Sequence, residues 1–338
     1  MKKFKPVLCI LIVLSMTLVP GCGAEENIRE EPSGIMDTSP VTSSLIQGFP
    51  SGLWFVLSTA IAESLGKTYK GSFLDITPGD STTNLFRLEE HLVDFALTHS
   101  SIAYGAVNGI GQFDNKFMNL SSIAVFYPSA AQLIVKKETG AASFADFIEN
   151  KIAMDISIGN QTSVANIAFR EMLSEYGLEI EDLEDWGCKI YLKNMSDSEE
   201  MFADGIIDGM FVLAGAPTNA VVQMDTNREM VMLGLDEKLV RSMVEKYGYD
   251  TFTIPGGTYS FIDSDSLTFT TYSMLAASSQ VSEETAYKMA RSIYENIEYI
   301  SGVHATMKDL SPEVLVRTAG MRLHPGAARF YREMGLID

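Results

Sequence analysis

From Ser51 onward, short runs of β-branched and aromatic residues alternate with segments whose apolar positions recur at i, i+3 and i+4. This is the signature of strands exchanging with amphipathic helices. A first helix is predicted over Gly52–Leu65, with Leu53, Val56, Leu57, Ala60 and Ile61 on one face and Gly66 as its stop. The strand 73–77, a Pro-Gly-Asp-Ser turn and a helix over 82–92 follow. Strands at 94–99 and 122–127 complete a half-domain. The stretch Tyr127-Pro128-Ser129-Ala130-Ala131 separates that last strand from the next, 132–137, and marks a crossover between lobes.

Beyond it, Ser143 caps a helix with Asp146 three residues on. Strands at 151–157, 189–193, 208–215 and 231–235 alternate with helices at 163–177, 196–205 and 237–247. Residues 251–278 read as turn-rich extended chain ending in a strand that returns to the first lobe. A helix over 283–301 buries Ala286, Met289, Ala290, Ile293 and Ile297, and another follows Ser311-Pro312. The expectation is an α/β protein of two lobes, each a mostly parallel sheet flanked by helices, with a ligand cleft between them. Close to 300 residues exceed what one core usually organises. The division falls at 45–127 plus 265–338 for one lobe and 128–264 for the other.

The start of the chain changes the picture of where this domain works. Lys2, Lys3 and Lys5 precede the apolar run Val7–Val19, too short to cross a bilayer as a permanent anchor, and Leu18-Val19-Pro20-Gly21-Cys22 follows. Residues 1–21 read as an export signal, with Gly21-Cys22 similar to a bacterial lipobox and Cys22 as the lipidation site. Residues 22–44, rich in Glu, Pro, Ser and Thr, read as a disordered spacer to the membrane. The formal charge is −19, and loss of the three signal lysines takes the mature chain near −22. No basic patch suits nucleic acid. Cys9 lies in the signal, so Cys188 alone remains, which excludes a disulfide framework and a cysteine zinc cluster.

Three Ser/Thr/Asn/Gly loops feed helix N-termini: Gln47–Gly52, Gly79–Asn84 and Gly159–Ser163. Such loops lie at the carboxyl ends of strands, where ligands bind, and their N–H groups with the helix dipole favour an anion. Each also serves as an ordinary helix cap, and it is their recurrence in both halves that points to a clamp on a carboxylate. His91, His99, His304 and His324 have no metal spacing, but Thr98-His99-Ser100-Ser101 ends a strand on the ligand side. There is no nucleophile elbow, phosphate loop or dinucleotide fingerprint, and paired glutamates such as Glu89-Glu90 sit on solvated helix faces. No catalytic residue, metal or cofactor is expected. Trp54, Phe55, Tyr104, Tyr127 and Tyr259 lie at or near the loops, placed equally well for cleft walls and for core.

Six segments in order, among them ITPGDSTTNLFRL, VDFALTHSSIAYGA, IAVFYPSAAQLIVKK and HPGAARFYREMGLI, resemble the TAXI family of solute receptors for TRAP transporters from about Gln47 to the end. The resemblance implies a two-lobed type II binding-protein fold, a TRAP transporter membrane subunit as partner, and a small organic acid or amino acid as ligand. Its Gly-Ser-x-x-Asn loop matches Asp80–Asn84, with Asp80 in place of glycine. Its aromatic-proline crossover matches Tyr127-Pro128, its Gly-x-Pro matches Gly215-Ala216-Pro217, and its late Gly-Thr-Tyr ends on Tyr259. His99-Ser100-Ser101 stands where the family has Gln-Ser-Asp, and Asn160-Gln161 stand within its Gly-Ser-Gly-Thr. The expected ligand-binding residues are therefore Ser51, Trp54, Phe55, Ser81, Thr82, Thr83, Asn84, His99, Ser100, Ser101, Tyr127, Gln161, Thr162, Gly215, Pro217 and Tyr259. The function expected is a lipid-anchored extracytoplasmic solute receptor. A sensor lipoprotein is the alternative, and an exported hydrolase using Asp80, Ser81 and His99 is the least supported.

Overall fold

The computed structural model describes residues 37–48, 52–225, 228–318 and 320–338. The expected signal, Cys22, most of the spacer and Ser51 lie outside the described residues. The elements run in chain order as β1 (Thr42–Ile46), α1 (Leu53–Thr68), β2 (Phe73–Thr77), α2 (Ser81–Glu89), β3 (Phe95–His99), α3 (Ser100–Asn108) and β4 (Leu120–Lys136). Then come α4 (Phe144–Glu149), β5 (Asp155–Ser157), α5 (Val164–Glu175), α6 (Ile180–Asp185), β6 (Lys189–Tyr191), α7 (Met195–Ala203), β7 (Gly209–Ala214), α8 (Asn219–Asp225) and β8 (Met230–Met232). The last are α9 (Glu237–Tyr247), β9 (Asp250–Ile254), β10 (Ser266–Ser278), α10 (Glu283–Glu295), α11 (Ile297–Gly302), α12 (Pro312–Leu315) and α13 (Pro325–Glu333).

The strands form one continuous mixed sheet in the order β2-β1-β3-β10-β4-β7-β5-β6, with β8 on β4 and β9 on β10. Each end is parallel, β2-β1-β3 and β7-β5-β6, and the antiparallel β10 and β4 join them. The expected link Tyr127–Ala131 is thus the interior of β4, not a break between two strands. Its residues stay paired because β10 runs beside them: Tyr272 opposes Pro128 and Thr270 opposes Ala130, where β7 takes over with Ala214. Proline donates no N–H, and the register shift between Tyr272 and Met274 falls beside it. Likewise β10 pairs with β9 through Thr270 and with β3 from Ser273, so the passage between halves falls near Thr271.

One hydrophobic core runs through both halves, with Leu85, Ile102 and Phe113 at one end, Phe144, Phe169 and Met243 at the other, and Tyr249, Phe269 and Met274 between. Two further cores are local: Leu57, Ile61, Ile293 and Phe330 in the first half, and Met210, Val221, Ile254 and Tyr259 in the second. The helix patterning accounts for much of this burial. Leu57, Ala60 and Ile61 of α1 are buried as predicted, though Val56 is exposed, and Ala286, Met289, Ala290 and Ile293 of α10 are fully buried.

Three expectations are corrected. Gly66 does not stop α1, which continues to Thr68, and nothing lies within 4 Å of where a Cβ would stand there. The helix expected over 283–301 breaks at Asn296, whose Nδ2 donates to Ser292 O at 2.9 Å and Thr68 Oγ1 at 3.1 Å. Finally, β1 begins inside the stretch expected as spacer. Val41, Ser43 and Leu45 face inward, and Ser44 is tied to Asp94 Oδ2 through its N–H at 2.7 Å and its hydroxyl at 3.0 Å.

Candidate ligand-binding site

The carboxyl ends of the parallel strands carry the loops that lead into α1, α2 and α3 in the first half and α5, α7 and α8 in the second. In open α/β sheets this edge is where ligands are held. In the first half the loops bring four expected residues into one contact chain. Ser81 Oγ lies 2.7 Å from His99 Nδ1, the His99 ring lies 4.7 Å from that of Trp54 at 36°, and Tyr127 joins them at the start of the β4 passage. Trp54 lies flat in the first turn of α1 because Gly48 has no side chain: a Cβ there would stand 3.0 Å from Trp54 Cε3.

Trp54, Ser81 and Tyr127 of this wall are buried, His99 is half-buried, and the wall is electrically neutral. Burial pushes His99 from its ordinary value down to about 3, so the imidazole is uncharged at physiological pH. Burial likewise drives the Tyr127 hydroxyl far above the usual tyrosine range, countered in part by the neighbouring Ser273 and Trp54 side chains. Ser273, opposite His99 across β3 and β10, is fully buried and meets the Tyr127 hydroxyl, while Gln47 Oε1 is buried without a partner. Ser273 thus lies beside His99 and Tyr127, and Gln47 opens the loop that leads into α1.

Several expected residues turn inward instead. Asn84 is fully buried, and its Nδ2 donates to Gln47 O and Leu97 O, both at 2.7 Å, tying the ends of β1 and β3 together. Its Oδ1 lies 2.1 Å from where a Cβ on Gly79 would stand, so the loop closes over it only with glycine. Ser100 and Ser101 bind the crossover: Thr271 Oγ1 accepts from Ser101 N and Ser101 Oγ and lies 3.0 Å from Ser100 Oγ, while Tyr272 N donates to Ser100 Oγ. Thr82 and Thr83 give their N–H groups to the Asp80 carboxylate at 3.1 Å. Phe55 points outward, 46% exposed.

In the second half, Gln161 and Thr162 are exposed beside the N-cap of α5, where Ser163 Oγ accepts from Asn166 N. Gly215 packs against Thr306, and Pro217 follows a cis bond. Tyr259 is buried as a strut: its hydroxyl donates to Gln132 Oε1 at 2.6 Å and accepts from Thr218 N at 2.9 Å, fixing the Gly215–Thr218 loop. Tyr104 also serves packing, against Gly248 and Gly320.

The profile of the NMT1-like family matches residues 47–335. The chain belongs to this family. Among solved structures, PhnD1 from Prochlorococcus marinus, in complex with methylphosphonate, is 10% identical with a TM-score of 0.52, the match covering 88% of this chain and 100% of that one. The periplasmic binding protein BugD gives 10%, 0.51, 88% and 94%, and MatC from Rhodopseudomonas palustris with bound malate gives 10%, 0.50, 88% and 96%. The fold of this NMT1-like protein is thus the α/β periplasmic-binding-protein fold. No described helix is long and apolar enough to cross a membrane. Among the described residues no three His, Cys, Asp or Glu side chains group to hold a metal ion. Cys188 is buried and free, its thiol pushed up by burial.

Gln47, Thr271 and Ser273 of this NMT1-like protein were not expected at the site. Gln47 opened a loop already singled out, so it was within reach of the sequence. The two β10 residues were not, because only the antiparallel pairing of β10 with β3 brings Ser273 beside His99.

Proposed function

We propose that this NMT1-like protein is an extracytoplasmic solute receptor, tethered through Cys22, which captures a small carboxylate-bearing molecule and delivers it to a TRAP-type membrane subunit. The observation that carries the reading is the neutral wall of Ser81, His99, Trp54 and Tyr127, with Ser273 beside it, at the carboxyl edge of a binding-protein fold. Methylphosphonate on PhnD1 and malate on MatC, proteins of the same fold, support a small anionic ligand. The carboxylate meets the loop of Gln161 and Thr162 and the first turn of α5, where the Ser163 side chain takes up Asn166 N and leaves the N–H groups of Val164 and Ala165 pointing out of the helix. The remainder of the ligand lies on Trp54 and is hydrogen-bonded by Ser81, His99 and Tyr127. Resemblance to the TAXI family supports the transporter as partner.

One contact favours a second reading. A serine hydroxyl 2.7 Å from an imidazole is the geometry of a nucleophile and its base. Here the base is too weak. A general base works best with a pKa near the operating pH, and burial holds His99 at about 3. Asp80, the nearest carboxylate in sequence, is turned to the N-terminus of α2 and does not orient the ring. The pair is a binding element, not a hydrolytic dyad.

The test is a thermal-shift screen of refolded protein against monocarboxylates, 2-oxo acids, amino acids and dicarboxylates. A ligand at 100 times its dissociation constant adds about 2.7 kcal/mol of stability. A selective rise in melting temperature that disappears in Trp54→Ala is expected. No rise with any carboxylate would sink the reading.

A further inference from the structure

The N-terminus of α2 points at the site from the carboxyl edge of β2, where a nine-residue helix would offer N–H groups and the positive end of its dipole to an anion. It is filled from within. Asp80 Oδ1 accepts from Thr82 N and Thr83 N, both at 3.1 Å, and Oδ2 accepts from Thr83 Oγ1 at 2.7 Å. The loop behind it cannot shift freely, because Asn84 Oδ1 occupies the space beside Gly79. Ser81, the next residue, meets His99, so any ligand group that reaches the Ser81–His99 pair lies one residue from a fixed negative charge. The α2 N–H groups meet this charge, and Trp54, Tyr127 and Ser273 on the wall bring no cation.

We propose that Asp80 is a specificity-determining residue. It takes the place of a ligand carboxylate at α2, and so restricts the first-half wall to the uncharged end of a monocarboxylate while turning dicarboxylates away. Two features point the same way: the helix terminus has its donors already taken by Asp80, and the adjoining wall holds uncharged donors and acceptors, with the buried, unpartnered Gln47 Oε1 in the neighbouring loop. An amide oxygen without a partner accepts from a hydroxyl or an amide N–H of the ligand. A second carboxylate would be repelled by the half-exposed Asp80 carboxylate, a repulsion that salt screens. The inference rests on the cleft being the ligand site.

The test measures malate binding by calorimetry to the wild type, Asp80→Asn and Asp80→Ser. Both substitutes are good helix N-caps, so α2 keeps its start while the charge is removed. Malate is expected to bind both variants at least tenfold more tightly than the wild type. The gain should shrink with added salt and vanish when Trp54→Ala is combined with either variant. The proposal is overturned if neither variant binds malate more tightly than the wild type, or if the gain survives Trp54→Ala. The receptor reading fails on a different readout, the response of the wild type to the whole carboxylate panel, which the Asp80 comparison does not use.

Discussion

Asn84 braces the candidate site from within. In the sequence it belongs to a polar loop at a helix start; in the structure its two donors hold Gln47 O and Leu97 O together with no exposed surface. Asn84→Ala leaves both carbonyls buried without these donors, at about 1–3 kcal/mol for each unsatisfied group. Chemical denaturation should show a loss of about 2–5 kcal/mol, and a change below about 1 kcal/mol would mean the bonds are not formed. His99 and Glu171 carry opposite pH dependences. His99 is held at about 3 by burial against an ordinary 6.5, so between those values the unfolded chain binds the extra proton and stability falls with acid. Burial raises Glu171 from 4.5 to about 7, with the Tyr249 hydroxyl bond opposing, so the folded chain holds the extra proton over that range and stability falls as pH rises. From pH 6.5 to 4.5 the two slopes, each about 1.4 kcal/mol per pH unit, offset one another. Relative to wild type, His99→Gln should gain stability on acidification across that window and Glu171→Gln should lose it, read from melting temperatures at matched ionic strength. Parallel curves for all three proteins would contradict the assignment.

At the scale of elements, Thr271 pins the start of α3 to the crossover strand β10, its hydroxyl serving Ser100 and Ser101 together. Thr271→Val keeps the shape and leaves the buried Ser101 N–H without its acceptor, which predicts a loss of about 1–3 kcal/mol by denaturant titration. Unchanged stability would show that α3 does not need this anchor. Elements with strong periodicity were legible: α9 spans the predicted 237–247, β2 the predicted 73–77, and Ser143 caps α4 with Asp146 N at 3.0 Å. Those missed lack that signal. Helix α3, SSIAYGAVN, has no charged face and contains a glycine, and β1 is hidden by Thr42, Ser43 and Ser44, of which Ser44 bonds Asp94. At the candidate site, the grouping of Trp54, Ser81 and His99 was legible from their places near strand ends. The inward turns of Asn84 and Tyr259 were not, because they depend on Leu97 and Gln132, distant in sequence.

For the whole molecule, β4 and β10 are the members on which both halves depend, and a shared core through Tyr249 and Phe269 continues across them. Their central amides should exchange with solvent more slowly than those of the edge strands β2 and β6, as measured by hydrogen exchange. Faster exchange in β4 than at the edges would contradict a continuous central strand. The central claim is that ligand lies on the Trp54 wall, and Trp54 is itself a reporter. The chain has two tryptophans, so Trp186→Phe leaves Trp54 as the sole one. The most direct measurement is a fluorescence titration of that variant with the carboxylate that raises the melting temperature. A saturable change in Trp54 emission at the concentration that gives the thermal shift is predicted. A ligand that stabilises the protein while Trp54 emission stays unchanged would place binding elsewhere and contradict the account.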